Sequence, residues 1–115
     1  MQWIIWHNPR CRKSRETLSL LHENGITPDV RLYLKDAPSR AEIISALESL
    51  GKPARDLVRV KEPLARELGL NQPGVDNERY VDAMSKNPSL IERPVVFNGD
   101  RAILGRPPEA TLSLL

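Results

Sequence analysis

Cys11 is the residue whose type and placement could do chemistry. It is the one cysteine of the chain and follows the turn-like His7-Asn8-Pro9-Arg10. Behind it, Ser14, Thr17, Leu18 and Leu21 recur with helical spacing, so Cys11 is expected to open a helix. At that position a thiol meets unpaired backbone N–H groups and the positive end of the helix dipole, and both favour the thiolate. Arg10, Arg12, Lys13 and Arg15 lie around it in sequence, and His7 is one loop away. The same features could hold an oxyanion. By residue type alone a lone cysteine is more often a small buried hydrophobe. An inert core cysteine, however, belongs on an apolar stripe, not between arginines after a proline-containing turn. His7 alone carries less weight, because a histidine at a strand end is more often structural.

Three further arginines occupy unusual places. Arg59 follows the apolar pair Leu57-Val58, Arg93 stands directly before Pro94, and Arg106 sits between Gly105 and Pro107-Pro108. Any one of them alone reads as a solvated charge. If the start of the third strand and the end of the fourth approach the Cys11 helix, Arg93 and Arg106 could face one anion. Other site chemistries find no support. One cysteine with His7 and His22 offers no recognised metal-ligand spacing, so no metal is expected. There is no glycine-rich phosphate loop. The Cys-x5-Arg loop of tyrosine phosphatases fails at Thr17, and the Cys-x-x-Cys of thioredoxins fails at Ser14.

The elements that must position these residues follow from periodicity. Trp3-Ile4-Ile5-Trp6 is a continuous apolar run and reads as a central strand covered on both faces. Asn24-Gly25 stops the Cys11 helix. Val30, Leu32 and Leu34 alternate with Arg31, Tyr33 and Lys35, which predicts a second strand with the three aliphatic side chains on its buried face. Strand, helix, strand favours a right-handed parallel crossover. Ser39 and Glu42 form a capping box for a helix with the stripe Ile43, Leu47 and Leu50, closed by Gly51. Residues 53–88 break into short helical pieces at Pro63, Gly69 and Gln72-Pro73-Gly74. The last piece is capped by Asp76, carries Tyr80 and Met84, and ends at Asn87-Pro88.

Residues 94–97 and 101–104 around Asn98-Gly99 predict a hairpin with a type I′ turn. Pro107 and Pro108 then start a last short helix. The fold class is therefore α/β: a four-stranded mixed sheet flanked by helices, with a helical insert at about 53–88 before the C-terminal hairpin. This is the thioredoxin-like arrangement, in one domain spanning residues 1–115. Fold alone does not establish redox function.

Bulk composition agrees with a single core. The 115 residues are 40% hydrophobic and 28% charged, far from the signature of disorder. Seventeen basic and fifteen acidic side chains leave a net charge of +2, too little to steer nucleic acid or an anionic membrane. The opening residues lack a signal-peptide pattern, and no apolar run approaches the ~18 residues of a membrane span. A cytoplasmic location is expected, where a single cysteine is either packing or chemistry.

The segment His7-Asn8-Pro9-Arg10-Cys11-Arg12-Lys13-Ser14-Arg15 resembles the active-site segment of the glutaredoxin-coupled arsenate reductases, the ArsC family. Leu57-Val58-Arg59, Leu90-Ile91-Glu92-Arg93-Pro94 and Ile103-Leu104-Gly105-Arg106-Pro107-Pro108 resemble its other signatures, in the same order. The resemblance implies a short, housekeeping-type member of a detoxifying family. Cys11 would attack arsenate, Arg59, Arg93 and Arg106 would hold the oxyanion and the arsenite product, and His7 and Ser14 would tune the thiolate. Glutathione would be the co-substrate and glutaredoxin the electron donor, with no bound cofactor. The resemblance also implies a cis peptide before Pro94, which a proline at a strand start that must turn its preceding arginine toward the site suggests independently. Two rival readings stand beside this one. The first is a glutathione-dependent reductase of disulfides. The second is a non-enzymatic regulator resembling the Spx branch, against which the missing Cys-x-x-Cys argues.

Overall fold

The structure, a computed structural model, describes residues 2–115. The chain forms two compact units, one from the residues up to Asp36 together with Arg93–Leu115, the other from Ala37–Glu92.

The first unit holds a four-stranded mixed sheet. Its strands are β1 (Trp3–Trp6), β2 (Asp29–Arg31), β3 (Val95–Asn98) and β4 (Arg101–Leu104), in the order β2-β1-β3-β4. β1 runs parallel to β2 and antiparallel to β3, and β3 is antiparallel to β4. Helix α1 (Arg12–Glu23) links the two parallel strands, as the strand-helix-strand pattern requires. Ser14, Thr17 and Leu21 form its buried stripe, and Gly25 leaves it at φ +76°. Ile5, Leu21, Val96 and Leu114 make one core cluster, with Trp3, Leu18, Ile26 and Ile103 packed against it. β1 is central as expected, with Ile5 and Trp6 buried although their side chains point to opposite faces.

Two local expectations are corrected here. The strand read over residues 30–35 ends at Arg31, and its buried phase is the opposite one. Val30, Leu32 and Leu34 are 47%, 37% and 44% exposed, whereas Tyr33 is 1% exposed. β2 is an edge strand, and after it the amides of Lys35 and Asp36 both bond back to the Leu32 carbonyl, at 3.0 and 2.9 Å. The chain thus leaves the sheet in a turn that drives the tyrosine ring inward. The Arg31 guanidinium lies over the Trp6 ring, its central carbon 5.9 Å from the ring centroid.

The hairpin is present, but its turn is shifted by one residue. Asn98 pairs with Arg101, so Gly99 and Asp100 are the central residues. Gly99 has φ +63°, and among the described residues no non-glycine has positive φ, which excludes type I′ and leaves the glycine-first II′ form. Asn98 stays in the strand because its buried side-chain amide donates to the Leu114 carbonyl at 2.7 Å. The last helix, Pro108–Leu114, is of the tighter 3-10 type.

The second unit is helical, with α2 (Arg40–Leu50), a 3-10 turn at Ala54–Asp56, α3 (Pro63–Glu67), α4 (Asn77–Lys86) and a second 3-10 turn at Pro88–Leu90. It starts before the expected insert and includes α2, because α2 packs on α4. Arg40 pairs there with Glu78 and, at 3.2 Å, with Asp82. The Ser39–Glu42 capping box and the Asp76 cap are both formed, and Gly51 closes α2 at φ +66°. Helical periodicity did not reveal the antiparallel bridge between Val58 and Ile91. It is flanked by Arg59 N–H to the Leu90 carbonyl at 2.8 Å and Glu92 N–H to the Leu57 carbonyl at 2.7 Å.

Candidate active site

The loop between β1 and α1 is closed by Asn8. Its carbonyl accepts from the Cys11 amide and its side-chain oxygen from the Arg10 amide, each at 3.0 Å. Pro9 and Arg10 are thereby turned outward and Cys11 becomes the N-cap of α1, with the Arg15 amide bonding to its carbonyl at 3.0 Å. The Cys11 sulfur faces the free amides of the first helical turn. The anion is what this position favours. Partial burial pushes the Cys11 thiol up, but the Ser14 amide, the hydrogen bond and charge of the Arg93 guanidinium, and the Lys13 amide together hold it below the ordinary thiol value.

The cation that acts on the sulfur therefore comes from across the sheet and not from the basic run in the sequence. Arg12 pairs with Glu16 at 2.8 Å, Arg15 donates to the Pro9 carbonyl at 2.9 Å, and Arg10 and Lys13 are exposed. Arg93 is brought to Cys11 by its place just before β3. Its peptide bond to Pro94 is cis, as expected, and so is Arg106-Pro107, which was not foreseen. Arg106 is exposed, and its Nη1 donates to the Arg93 carbonyl at 3.2 Å.

His7 and Ser14 are both buried. His7 Nδ1 lies 2.6 Å from Ser14 Oγ, which also accepts from the Asn8 amide at 3.0 Å. Burial, and after it the Arg15 guanidinium, hold the imidazole below its usual pKa, which disfavours its protonated form. The Ser14 hydroxyl is thus tied to the loop, and it is the Ser14 amide that favours the thiolate.

Cys11, His7, Ser14, Arg93 and Arg106 accordingly meet in the first unit. Arg59 belongs to the second, where it pairs with Glu62 and, at 3.9 Å, with Glu92. Sequence reasoning placed Asn8 in a turn and Gly105 beside Arg106 but gave neither a role; Asn8 closes the loop under Cys11, and Gly105 lies against Thr17 and Pro94.

Comparison with known proteins places this geometry. The ArsC family profile matches residues 6–114. The chain belongs to the ArsC family. Among ArsC relatives, the arsenate reductase of Haemophilus influenzae is 44% identical over the whole of both chains. The uncharacterized protein YfgD of Escherichia coli K12 is 47% identical, across 96% of this chain and 94% of its own. The structure of the arsenate reductase from Vibrio cholerae superposes with a TM-score of 0.96 at 43% identity, covering 100% of this chain and 98% of that one. The thioredoxin-like α/β fold expected from the element order is thus the fold of the ArsC family.

Proposed function

We propose that the protein reduces arsenate to arsenite, with Cys11 as the nucleophile and glutathione and glutaredoxin as the source of electrons. The observation that carries this reading is the convergence on one thiol of an N-terminal helix turn and the Arg93 guanidinium, with Arg106 hydrogen-bonded to the Arg93 backbone. Arsenate is a tetrahedral oxyanion, and a guanidinium can give it two parallel hydrogen bonds. The Cys11 thiolate forms a bond to arsenic while an arsenate oxygen leaves as water. Arsenic is still As(V) at this point. Glutathione then displaces a second oxygen as water to give a Cys11–S–As(V)–SG adduct. A glutaredoxin thiolate attacks the glutathione sulfur, so that the As–S bond breaks with its electron pair left on arsenic as As(III). Water then displaces the Cys11 thiol, releasing arsenite and restoring the enzyme. Overall two thiols become a disulfide, and arsenate becomes arsenite and water.

In this reading Arg93 both lowers the thiol pKa and binds the oxyanion, while Arg106 holds it from the exposed side. Arg59 is proposed as a further oxyanion ligand on the strength of the family resemblance. His7 and Ser14 keep the loop and the first helical turn in place under the sulfur. With no second cysteine, the resolving thiol comes from a partner, which suits the glutathione pool of the cytoplasm. The test is arsenate-dependent NADPH oxidation with glutathione, glutaredoxin and glutathione reductase, omitting one component at a time. Turnover that requires both glutathione and glutaredoxin is expected. Turnover of disulfides but not of arsenate, unaffected by loss of Arg93 or Arg106, would replace this reading with a disulfide reductase.

A further inference from the structure

Thr17 is fully buried on α1, and no step of the proposed reaction uses it. A β-branched residue is a mediocre helix former, so its place in the helix interior asks for another reason. Its hydroxyl bonds to the Lys13 carbonyl at 2.8 Å and reaches the Gly105 carbonyl at 3.4 Å, across 88 residues of sequence. Gly105 is glycine for want of space, since its φ is not positive. A Cβ there would stand 2.7 Å from Thr17 Oγ1 and 2.8 Å from Pro94 Cγ. The Gly105 amide in turn donates to the Pro94 carbonyl at 3.0 Å.

Three segments meet at this contact. α1 is capped by Cys11, Pro94 follows Arg93, and Gly105 precedes Arg106, which itself bonds to the Arg93 carbonyl at 3.2 Å. We propose that Thr17 and Gly105 are positioning residues whose close contact fixes the paired arginine segments against the Cys11 helix, setting both the acidity of the thiol and the grip on the oxyanion. The second half of this proposal rests on the arsenate reading above, and the first half does not. A hydroxyl offers a hydrogen-bonding contact at a spot where a methyl group offers only bulk, and glycine allows an approach that any Cβ forbids. Charge-assisted contacts depend steeply on such placement.

The test compares wild type with Thr17→Ser, Thr17→Val and Gly105→Ala for thermal midpoint, the pH profile of Cys11 alkylation, and arsenate kcat and KM with glutathione and glutaredoxin. Thr17→Ser keeps the hydroxyl and should stay near wild type in inflection and KM. Thr17→Val should move the alkylation inflection upward and raise arsenate KM on the order of tenfold, below the roughly hundredfold that a full ångström of misplacement can cost. Gly105→Ala should do the same more strongly. A residue that only packs would lower the thermal midpoint and leave the inflection and KM in place, and that result in folded Thr17→Val overturns the proposal. Should Gly105→Ala fail to fold, the Thr17→Val and Thr17→Ser pair decides. Should wild type reduce no arsenate, the proposed function fails, while the alkylation profiles still decide whether Thr17 positions the thiol's cation.

Discussion

Arg106 Nη1 donates to the backbone carbonyl of Arg93 at 3.2 Å, joining two arginines that are 13 residues apart in sequence and unequal in exposure. Arg93 is half-buried and acts on the Cys11 sulfur, whereas Arg106 lies at the surface. In the proposed mechanism Arg93 holds the nucleophile as an anion while Arg106 receives the incoming oxyanion, so the two residues are expected to have different measurable phenotypes.

Arg93 is expected to matter for the thiol itself. The alkylation rate of Cys11 against pH should inflect below the free-thiol value of about 8.5. Arg93→Ala should move the inflection upward, because it removes both a hydrogen bond and a charge on the thiolate, and Arg93→Lys should restore part of the charge alone. A wild-type inflection at or above the free value contradicts an activated thiolate.

Arg106 is expected to matter for the oxyanion and little for the fold. Arg106→Lys should lose much of the arsenate turnover, because a point charge replaces a fork, and Arg106→Ala should lose about a hundredfold or more if it supplies one of the stabilising donors. Stability should change by no more than ~0.5 kcal/mol, as at other surface sites. Full turnover by Arg106→Ala at saturating glutathione and glutaredoxin would return Arg106 to the status of a solvated charge.

Much of this arrangement was legible in the sequence, for reasons particular residues make plain. Trp3–Trp6, the Ser39–Glu42 cap and the Cys11 helix start were readable because each is decided by neighbours within a few residues. The Tyr33 side of β2 was not, because the turn at Leu32 reorients the chain and a period of two does not name its buried phase. The turn at Gly99-Asp100 was misplaced because the long-range bond from Asn98 to Leu114 holds the asparagine in its strand. The basic run beside Cys11 promised a local field, yet the acting cation, Arg93, arrives through sheet order, which no local pattern encodes.

His7 should leave a signature in acid stability. Its folded pKa lies below the ordinary value of about 6.5, so the unfolded chain binds the proton first as pH falls. The stabilisation is present in full above that ordinary value and is lost as pH falls through the lower folded one. Urea midpoints should decline over this window in wild type. His7→Asn, which can keep a partner for Ser14 without titrating, should decline less, and an equal decline in both would remove His7 from the acid response.

In the helical unit, Ser39→Ala should lower stability by about 1 kcal/mol, because the Glu42 amide would lose its bond to Ser39 Oγ at 3.1 Å, leaving the box with only the 3.0 Å bond from the residue-39 amide to the Glu42 carboxylate. Chemical denaturation should record this loss with arsenate turnover per folded molecule unchanged. A Ser39→Ala variant as stable as wild type would mean that the box contributes nothing measurable.

The central claim, that Cys11 is the thiol that attacks arsenate, is tested most directly by quantifying arsenite formed from arsenate with glutathione and glutaredoxin, for wild type and for Cys11→Ser side by side. The account predicts steady arsenite production by wild type and none above background by the folded serine variant, since a hydroxyl at that position lacks the thiolate. Equal arsenite production by the two proteins, or none by wild type, would contradict it.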